Sequence, residues 1–384
     1  MEWSFPIPRY LDRAVALSHT ACFLLSSSSA LSSVPALSLF AREKGMSAPE
    51  IGIVLGAPLL VAVVVAQTGV ATAALNRRRA TAIGALILAL TPMLFALASD
   101  FWQLLSMRVV YGLGLALLPS LLVATAAGAA ASWHGNQRLA ISALAGWVVG
   151  PAISGYLVEQ GGAGAAFALA SLLALGGLSV ALLVPDAGLQ WGGDQSAPPG
   201  VRGVPAPVAL HLAVGAVEAF LPLYILDLGL GPRDAGLLFA VYAGWVMGSS
   251  PLVASLATKA PGALSVSGLL LAAAACAGLG LGVRFPLLVL AMAACGLGTM
   301  AVAASRRPRT AYDGGQPCRA RACNFAPHAA HAAGPIVGGL AMHVLGGTAL
   351  FLLLGIGVAL AAVVSAVLVS GDTLGDPHRA AGAH

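Results

Sequence analysis

Gly146-Trp-Val-Val-Gly150-Pro151-Ala-Ile-Ser154-Gly155 is the stretch of this 384-residue chain on which its interpretation depends. Its glycines recur every four or five residues, with a proline between them. In water such a stretch is a poor helix, because glycine and proline both oppose helix formation. In a bilayer the small residues let helix backbones approach closely, and neighbouring helices satisfy the carbonyl groups that a proline frees. The stretch therefore predicts a closely packed membrane helix.

The composition supports a membrane protein. The chain is 59% hydrophobic and only 9% charged, with a mean hydropathy of +0.91, whereas a soluble domain carries about 25% charged residues. Its long unbroken apolar runs favour helices over a β-barrel, whose strands alternate apolar and polar residues. The net charge of +5 does not indicate nucleic-acid binding, because the basic residues lie in short clusters between apolar runs. We expect an all-α integral membrane protein.

Twelve apolar segments are each long enough to cross a hydrocarbon core of about 30 Å. Most connections between them are short, so consecutive helices are expected to be antiparallel neighbours. A longer polar segment at 185–207 is predicted to be a cytoplasmic linker between an N-terminal bundle (1–184) and a C-terminal bundle (208–384). The predicted spans are about 14–40, 48–75, 80–99, 102–128, 138–160, 163–184, 206–228, 234–257, 262–283, 285–305, 322–345 and 347–370.

Lysine and arginine residues predict the orientation. If the N-terminus is cytoplasmic, the inner loops hold fourteen of them and the outer loops four, and cytoplasmic loops carry the excess in membrane proteins. Both termini are therefore expected on the cytoplasmic side of the cell (inner or plasma) membrane. The N-terminus shows no short apolar region followed by a small-residue cleavage site, so no removable signal peptide is expected.

The opening stretch has a second copy. Gly150-Pro151 and Gly155 recur as Gly334-Pro335 and Gly339, 184 residues later. The same offset relates Gly45–Gly52 to Gly229–Gly236, and Leu104–Gly114 to Leu288–Gly298. One register that holds at three separate places indicates two related halves. With six spans each, the halves are expected to run parallel, related by an axis along the membrane normal.

At this point the chain resembles the major facilitator superfamily, over nearly its whole length. After span 2, Gly69 and the basic pair Arg77-Arg78 match the family's loop motif, although Ala73 replaces its acid; the loop after span 8, Ala254–Pro261, is a similarly degenerate copy. Span 4 carries Leu104-x3-Arg108-x2-Tyr111-Gly112-x-Gly114, similar to the family's Arg-x-x-Gln-Gly pattern. The opening stretch resembles the span 5 motif of drug:proton antiporters.

The resemblance implies twelve transmembrane helices in two pseudo-symmetric six-helix bundles, working by alternating access. Because Ala73 and Thr258 stand where the family's loops carry an acid, either the cytoplasmic gate depends on other contacts or the inward-open state is less restrained. The residues expected to serve gating and packing are Gly69, Arg77, Arg78, Gly112, Gly146, Gly150, Pro151, Gly155, Gly334, Pro335, Gly338 and Gly339.

Two charged residues lie well inside predicted spans. Arg108 in span 4 is expected to face a cavity or a carboxylate, because a charge near the bilayer centre is costly; the alternative is a side chain that reaches the outer interface. Glu218 in span 7 is the candidate proton carrier, with a structural ion pair as the alternative. Both fall in the outer half of the membrane, so we expect them to pair or to compete for one ligand.

Five further polar residues are predicted along the proton or substrate pathway: Tyr111, Ser26, Asn324, His328 and His331. His331 corresponds to Trp147 in the 184-residue register, and a histidine there is able to accept a proton near neutral pH. Cys318-x4-Cys323-x4-His328-x2-His331 looks like a metal site, but its cysteine spacing is longer than tetrahedral zinc sites usually use. No metal and no cofactor are predicted.

Enzyme motifs such as Gly-x-Ser-x-Gly, a phosphate loop or His-Glu-x-x-His are lacking, so an enzyme is not expected. The leading hypothesis is a monomeric secondary transporter that exports a small, partly hydrophobic organic compound against proton entry. Uptake of a metabolite, proton-coupled or passive, is the first alternative. A transporter-like sensor or partner subunit that no longer transports is the second. The expected partners are the bilayer, protons and a small-molecule substrate, with no nucleic acid.

Overall fold

The computed structural model describes residues 9–68, 77–118, 134–184, 205–282, 284–305 and 320–374. Regular structure in these ranges is entirely α-helical. The helices are α1 (Arg9–Ser33), α2 (Ala36–Glu43), α3 (Ala48–Thr68), α4 (Arg77–Phe95), α5 (Phe101–Leu117), α6 (His134–Gly161), α7 (Ala163–Leu182), α8 (Pro205–Asp227), α9 (Pro232–Lys259), α10 (Pro261–Gly280), α11 (Phe285–Ser305) and α12 (Ala320–Leu374).

The helices make twelve membrane crossings, as predicted. Ten apolar stretches in the described ranges are long enough to cross a bilayer, and α5 is a shorter apolar helix. One of the ten joins α1 and α2, and another runs through α12. Helix α12 counts as two crossings because its backbone turns at Gly346, whose φ of 82° is accessible mainly to glycine. The chain is therefore a multi-pass membrane protein.

With the exception of α1–α2 and α9–α10, the short connections between consecutive helices lie on one side of the molecule, which we call the short-turn face. It comprises the connections α2–α3, α4–α5, α6–α7, α8–α9 and α10–α11 and the bend at Gly346. Glycines with positive φ occupy five of these turns, and four of the five form two pairs: Gly45 matches Gly229, and Gly162 matches Gly346, each 184 residues apart. The repeat inferred from sequence thus extends to backbone conformation. Its assignment to the outer side of the membrane stays a prediction.

Each half of the chain forms a bundle with equivalent internal contacts. Helix α1 packs on α6 and α7, and its counterpart α8 packs on α12. A side chain at Gly84 would strike the carbonyl of Gly114, and a side chain at Gly268 would strike the carbonyl of Gly298, its repeat equivalent. The predicted domain limits remain a prediction, because most of the 185–207 linker lies outside the described residues.

The outer surface of the described helices is apolar. Trp102 and Leu97 are each 74% exposed and Val344 is 75% exposed. Leu172 of α7, Leu252 of α9, Leu290 of α11 and Leu360 of α12 are also well exposed. Apolar side chains presented so widely indicate a lipid-facing surface rather than a watery one.

Candidate functional site

The site is built on the crossing of α8 and α12, which two glycines make unusually close. A side chain at Gly215 would overlap the carbonyl oxygen of His331, and one at Gly334 would overlap that of Leu212. Two prolines also open the helices here, because proline has no N–H for the carbonyl four residues earlier. Pro222 frees the carbonyl of Glu218, and Pro335 frees that of His331. The two polar residues therefore sit where each helix is locally opened.

Glu218 and His331 form a hydrogen-bonded pair across this crossing. Nε2 of His331 lies 3.0 Å from Oε2 of Glu218, and the side chains of His331 and Glu218 are 23% and 18% exposed, respectively. Helix α8 contacts α2, α3, α9, α10, α11 and α12, so it has little surface left for lipid. The accessible part of the pair therefore faces space inside the molecule. A carboxyl group and an imidazole in such a place can exchange a proton.

Two further histidines lie beside the pair. The ring of His211, on α8, is centred 6.3 Å from the ring of His331 and 6.5 Å from that of His328. His328 is exposed, and His211 is partly buried. Sequence reasoning found His328 and His331 but missed His211. The sequence feature that indicates His211 is its position seven residues before Glu218, which places both residues on one face of α8.

Helices α9 and α11 supply a hydroxyl pair close to Glu218. Tyr242 of α9 donates a hydrogen bond to Oγ1 of Thr299, at 3.4 Å, and Thr299 donates to the carbonyl of Cys295, at 2.9 Å. Tyr242 and Cys295 are both within electrostatic reach of Glu218. Sequence reasoning missed these residues because isolated hydroxyl groups in apolar spans usually bond to their own helix.

Arg108 does not pair with Glu218, which corrects the expectation from sequence. It is 3% exposed in the core of the first bundle, where its helix α5 packs on α3 and α4 rather than on α8. Nε of Arg108 donates to the carbonyl of Val54 at 3.2 Å, and the guanidinium carbon lies 4.9 Å from the centre of the Tyr111 ring. The alternative of a side chain reaching the outer interface is also wrong, because the side chain is buried.

The other predicted pathway residues are placed differently from one another. Tyr111 is 1% exposed beneath Arg108, so it belongs to the core of the first bundle. Ser26 of α1 is partly exposed, and its Cβ lies where a side chain at Gly146 would fall. The side chain of Asn324 lies outside the described residues, as do those of Cys318 and Cys323.

The repeated glycine–proline motif has two kinds of contact. Within each bundle, Gly150 packs on α1 and Gly334 packs on α8. Between the bundles, Gly155 packs on Pro232 of α9, and its repeat equivalent Gly339 packs on Ala48 of α3. The partners Ala48 and Pro232 are themselves 184 residues apart, so the two inter-bundle contacts are symmetry equivalents.

The bundles also contact through glycines on the opposing helices. A side chain at Gly52 of α3 would overlap the carbonyl of Pro335, and one at Gly236 of α9 would overlap that of Pro151. These contacts lie near the N-terminal ends of α3 and α9, and hence near the short-turn face. The structure therefore shows the bundles held together on that side. Gly112, by contrast, packs on Pro58 within the first bundle, and Gly338 packs on Phe220 within the second.

Polar contacts reinforce this closure. Arg42 of α2 forms an ion pair with Asp227 of α8, with 2.7 Å between Nη2 and Oδ1, and it also donates to the carbonyl of Leu223 at 3.2 Å. Oε2 of Glu159 accepts a hydrogen bond from the backbone N–H of Arg233 at 3.2 Å. Each contact joins one bundle to the other at the short-turn face.

The predicted loop motif after span 2 lies mostly outside the description. Gly69 and the side chain of Arg77 are in undescribed segments. Nη2 of Arg78 donates to the carbonyl of Leu182 at 3.1 Å, a contact within the first bundle. Its role in a cytoplasmic gate stays a prediction.

Two bundles of six crossings, held together by symmetric glycine contacts around a partly buried polar pair, define a helical membrane transporter. A family model described as Major Facilitator Superfamily matches residues 20–307, and the chain belongs to that superfamily. It is therefore a membrane transporter of a small-molecule substrate and not an enzyme.

A solved structure has the same fold. The chain is similar to that in a crystal structure of the nucleoside transporter NupG, determined for a point mutant, with a TM-score of 0.71 and 14% identity. The match covers 93% of this chain and 99% of that chain, so it includes both bundles. No curated protein matches the chain.

Proposed function

We propose that this transporter exports a small, partly hydrophobic organic compound in exchange for protons, with Glu218 as the proton carrier. The observation that carries the proposal is the Glu218–His331 pair, a partly accessible carboxylate and imidazole 3.0 Å apart inside the molecule. A proton on Glu218 neutralises the carboxylate and removes its attraction for a protonated His331. Protonation therefore alters the contact between α8 and α12, and α12 also holds the other bundle through Pro335 and Gly339.

The direction of transport rests on the resemblance of Gly146–Gly155 to the span 5 motif of drug:proton antiporters. The small number of charged residues in the spans favours a substrate of low charge. NupG is a nucleoside transporter, and at 14% identity its structure supports the fold alone. Uptake of a metabolite remains the alternative.

The experiment begins with a thermal-shift screen of the purified protein at two pH values, using lipophilic cations, neutral aromatic compounds and nucleosides. A stabilising compound is then loaded into proteoliposomes, and its movement is followed under a pH gradient of either sign. Export in exchange for protons requires Glu218, so Glu218→Gln is expected to abolish gradient-driven flux. The matched control is Glu43→Gln, an exposed carboxylate at the short-turn face, which is expected to transport like wild type.

The three hypotheses give different results. Exporter activity moves the compound opposite to the proton gradient, whereas proton-coupled uptake moves it in the same direction. Passive uptake gives counterflow that is insensitive to pH. Wild-type flux in Glu218→Gln overturns the carrier role, and a complete lack of ligand stabilisation and flux across the panel supports a non-transporting protein.

A further inference from the structure

A histidine cluster adjoins the Glu218–His331 pair. We define the cluster as His211 of α8 together with His328 and His331 of α12. The ring of His211 is edge-on to His331 at 6.3 Å and tilted to His328 at 6.5 Å. His328 and His331 share one face of α12, because they are three residues apart. Three imidazoles and one carboxylate are thus gathered at a single helix crossing.

The orientation of the His211 ring is set by the backbone. Its Nδ1 lies 2.8 Å from the carbonyl oxygen of Pro207, one turn earlier on α8. Since a carbonyl only accepts hydrogen bonds, Nδ1 carries the hydrogen. In the neutral ring Nε2 is then the basic nitrogen, and it is the atom on which a transferred proton would bind.

The repeat provides an internal comparison for the cluster. Residues 184 positions earlier form the equivalent crossing of α1 and α6 in the first bundle, with glycines in the same roles. The equivalents of Glu218, His211, His328 and His331 are Val34, Ser27, Leu144 and Trp147. None of these four titrates. The first bundle builds the same crossing with non-titratable residues at these four positions, so packing there does not require the histidines; its own histidine at this crossing, His19, lies elsewhere on α1, 2.7 Å from Oγ of Ser142.

The cluster extends from the pair toward the side of the molecule opposite the short-turn face. His211 precedes Glu218 by seven residues on α8, which is a rise of about 10 Å along the helix. His328 precedes His331 by one turn and is exposed, whereas His331 is 23% exposed. The histidines therefore connect the enclosed pair with more accessible space on that side.

We propose that His211 and His328 transfer protons between the Glu218–His331 pair and the face opposite the short-turn face. The proposal rests on the proposed function of Glu218. In the release direction the Glu218 O–H bond breaks as an N–H bond forms on His331, and the proton then passes from His331 to His211, from His211 to the exposed His328, and on to water. No step involves oxidation or reduction. The gaps between rings are of a size that side-chain rotation or one bridging water closes.

Other ionisable groups surround Glu218 and are not part of the route. Tyr242 and Cys295 face it from α9 and α11, and Cys276 of α10 lies beside them. Arg42 of α2 and Glu50 of α3 lie at the short-turn face, where Arg42 pairs with Asp227 and Glu50 accepts hydrogen bonds from Ser47. Among the described side chains of α8 and α12, the histidine cluster is therefore the set of titratable groups that leads from the pair toward the opposite face.

The test follows protonation of Glu218 directly and needs no substrate. The purified full-length protein is mixed with a caged proton, and the infrared band of the protonated Glu218 carboxyl group is recorded after a photolysis flash. Glu218→Gln identifies the band. We expect His211→Gln and His328→Gln each to slow the appearance of the band about tenfold or more, as loss of a proton-transfer group does. His343→Gln, an exposed histidine near the short-turn face of α12, is the matched control.

Chemical rescue separates proton transfer from structure. Added imidazole is expected to restore the rate in His328→Ala, whose side chain is exposed, and to leave the wild-type rate unchanged. A Glu218 band that rises equally fast in wild type, His211→Gln and His328→Gln overturns this inference alone. If Glu218→Gln removes no band, Glu218 does not bind a proton, and both this inference and the proposed function fail.

Discussion

Nε of Arg108 donates a hydrogen bond to the carbonyl oxygen of Val54, at 3.2 Å. Val54 lies four residues before Pro58 in α3, so this carbonyl has no helical N–H partner. Arg108 thus satisfies a group that proline leaves open in the membrane interior. Ser154 of the repeated motif does the same for the carbonyl of Leu31, four residues before Pro35, at 2.8 Å. Two polar residues of the sequence motifs therefore stabilise proline-interrupted helices.

This relationship predicts coupling between Arg108 and Pro58. In Pro58→Ala the alanine N–H can donate to the carbonyl oxygen of Val54, so that carbonyl no longer needs the hydrogen bond from Arg108. We expect Arg108→Met to destabilise the wild-type protein more than the Pro58→Ala protein, with a coupling free energy of about 1–2 kcal/mol. Unfolding by sodium dodecyl sulfate in mixed micelles, measured for the four proteins of the cycle, gives this quantity. Additive effects would show that Arg108 serves another group.

The fold was largely predictable because its signals are local or periodic. Apolar run length gave the twelve crossings, and the 184-residue register gave the two halves, which the paired turns at Gly45 and Gly229 confirm. The predicted spans 11 and 12 meet at Gly346, whose non-helical backbone separates the two crossings. The prolines and glycines are visible in the sequence. The sequence does not show which side chain bonds to the carbonyl that each proline frees, because that depends on packing.

The candidate site was only partly predictable. Glu218 and His331 were each singled out, yet Arg108 was expected to pair with Glu218 or to compete with it for one ligand, because both lie at similar predicted depth. Depth along the membrane is readable from sequence, whereas the direction in which a side chain points around its helix depends on packing. Arg108 lies within its own bundle, where it donates to the carbonyl of Val54 that Pro58 frees. Gly215 and Gly334 allow α8 and α12 to cross closely, so His331 contacts Glu218.

The inter-bundle glycines predict a shift in conformation when they are enlarged. A side chain at Gly155 would collide with backbone atoms of Pro232 and Arg233, which cannot yield without parting the bundles. We expect Gly155→Leu and Gly339→Leu to open the short-turn face while each bundle stays folded. A change of about 1 kcal/mol in the free energy of opening corresponds to about a fivefold change in the ratio of open to closed molecules.

Cross-linking measures this opening. Cysteines are placed at positions 42 and 227, whose side chains meet across the bundles, in a protein whose native cysteines are replaced by serine. The Gly155→Leu change should slow their cross-linking by a short bifunctional thiol reagent about fivefold. Gly164→Leu is the matched control, because a side chain at Gly164 meets nothing within 4 Å. An equal rate in Gly155→Leu and Gly164→Leu would contradict a role in closure.

The ion pair between Arg42 and Asp227 should contribute modestly to the free energy that keeps the short-turn face closed. Its side chains are 45% and 47% exposed, and exposed pairs typically contribute about 0–1 kcal/mol. We expect Asp227→Asn to favour opening of the short-turn face by less than about 1 kcal/mol, with the difference from wild type shrinking at high salt. Spin-label distances between the tips of α2 and α9, recorded at low and high salt, measure it. A large effect that salt does not change would indicate that Asp227 serves a role other than pairing.

The crossing of α8 and α12 should tolerate added bulk poorly. A methyl group at Gly334 would meet the carbonyl of Leu212 and the backbone nitrogen of Ala216, neither of which can rotate away. Overpacking of this kind costs about 1–3 kcal/mol, so Gly334→Ala should lower the unfolding temperature clearly. Gly248→Ala on α9 is the control, since nothing lies within 4 Å there and alanine favours a helix. Because Gly334→Ala is also expected to separate Glu218 from His331, the infrared band of the Glu218 carboxyl group should shift in that variant. The band should stay unchanged in Gly248→Ala. Equal stability of the two variants would mean that α8 and α12 cross less closely than the structure shows.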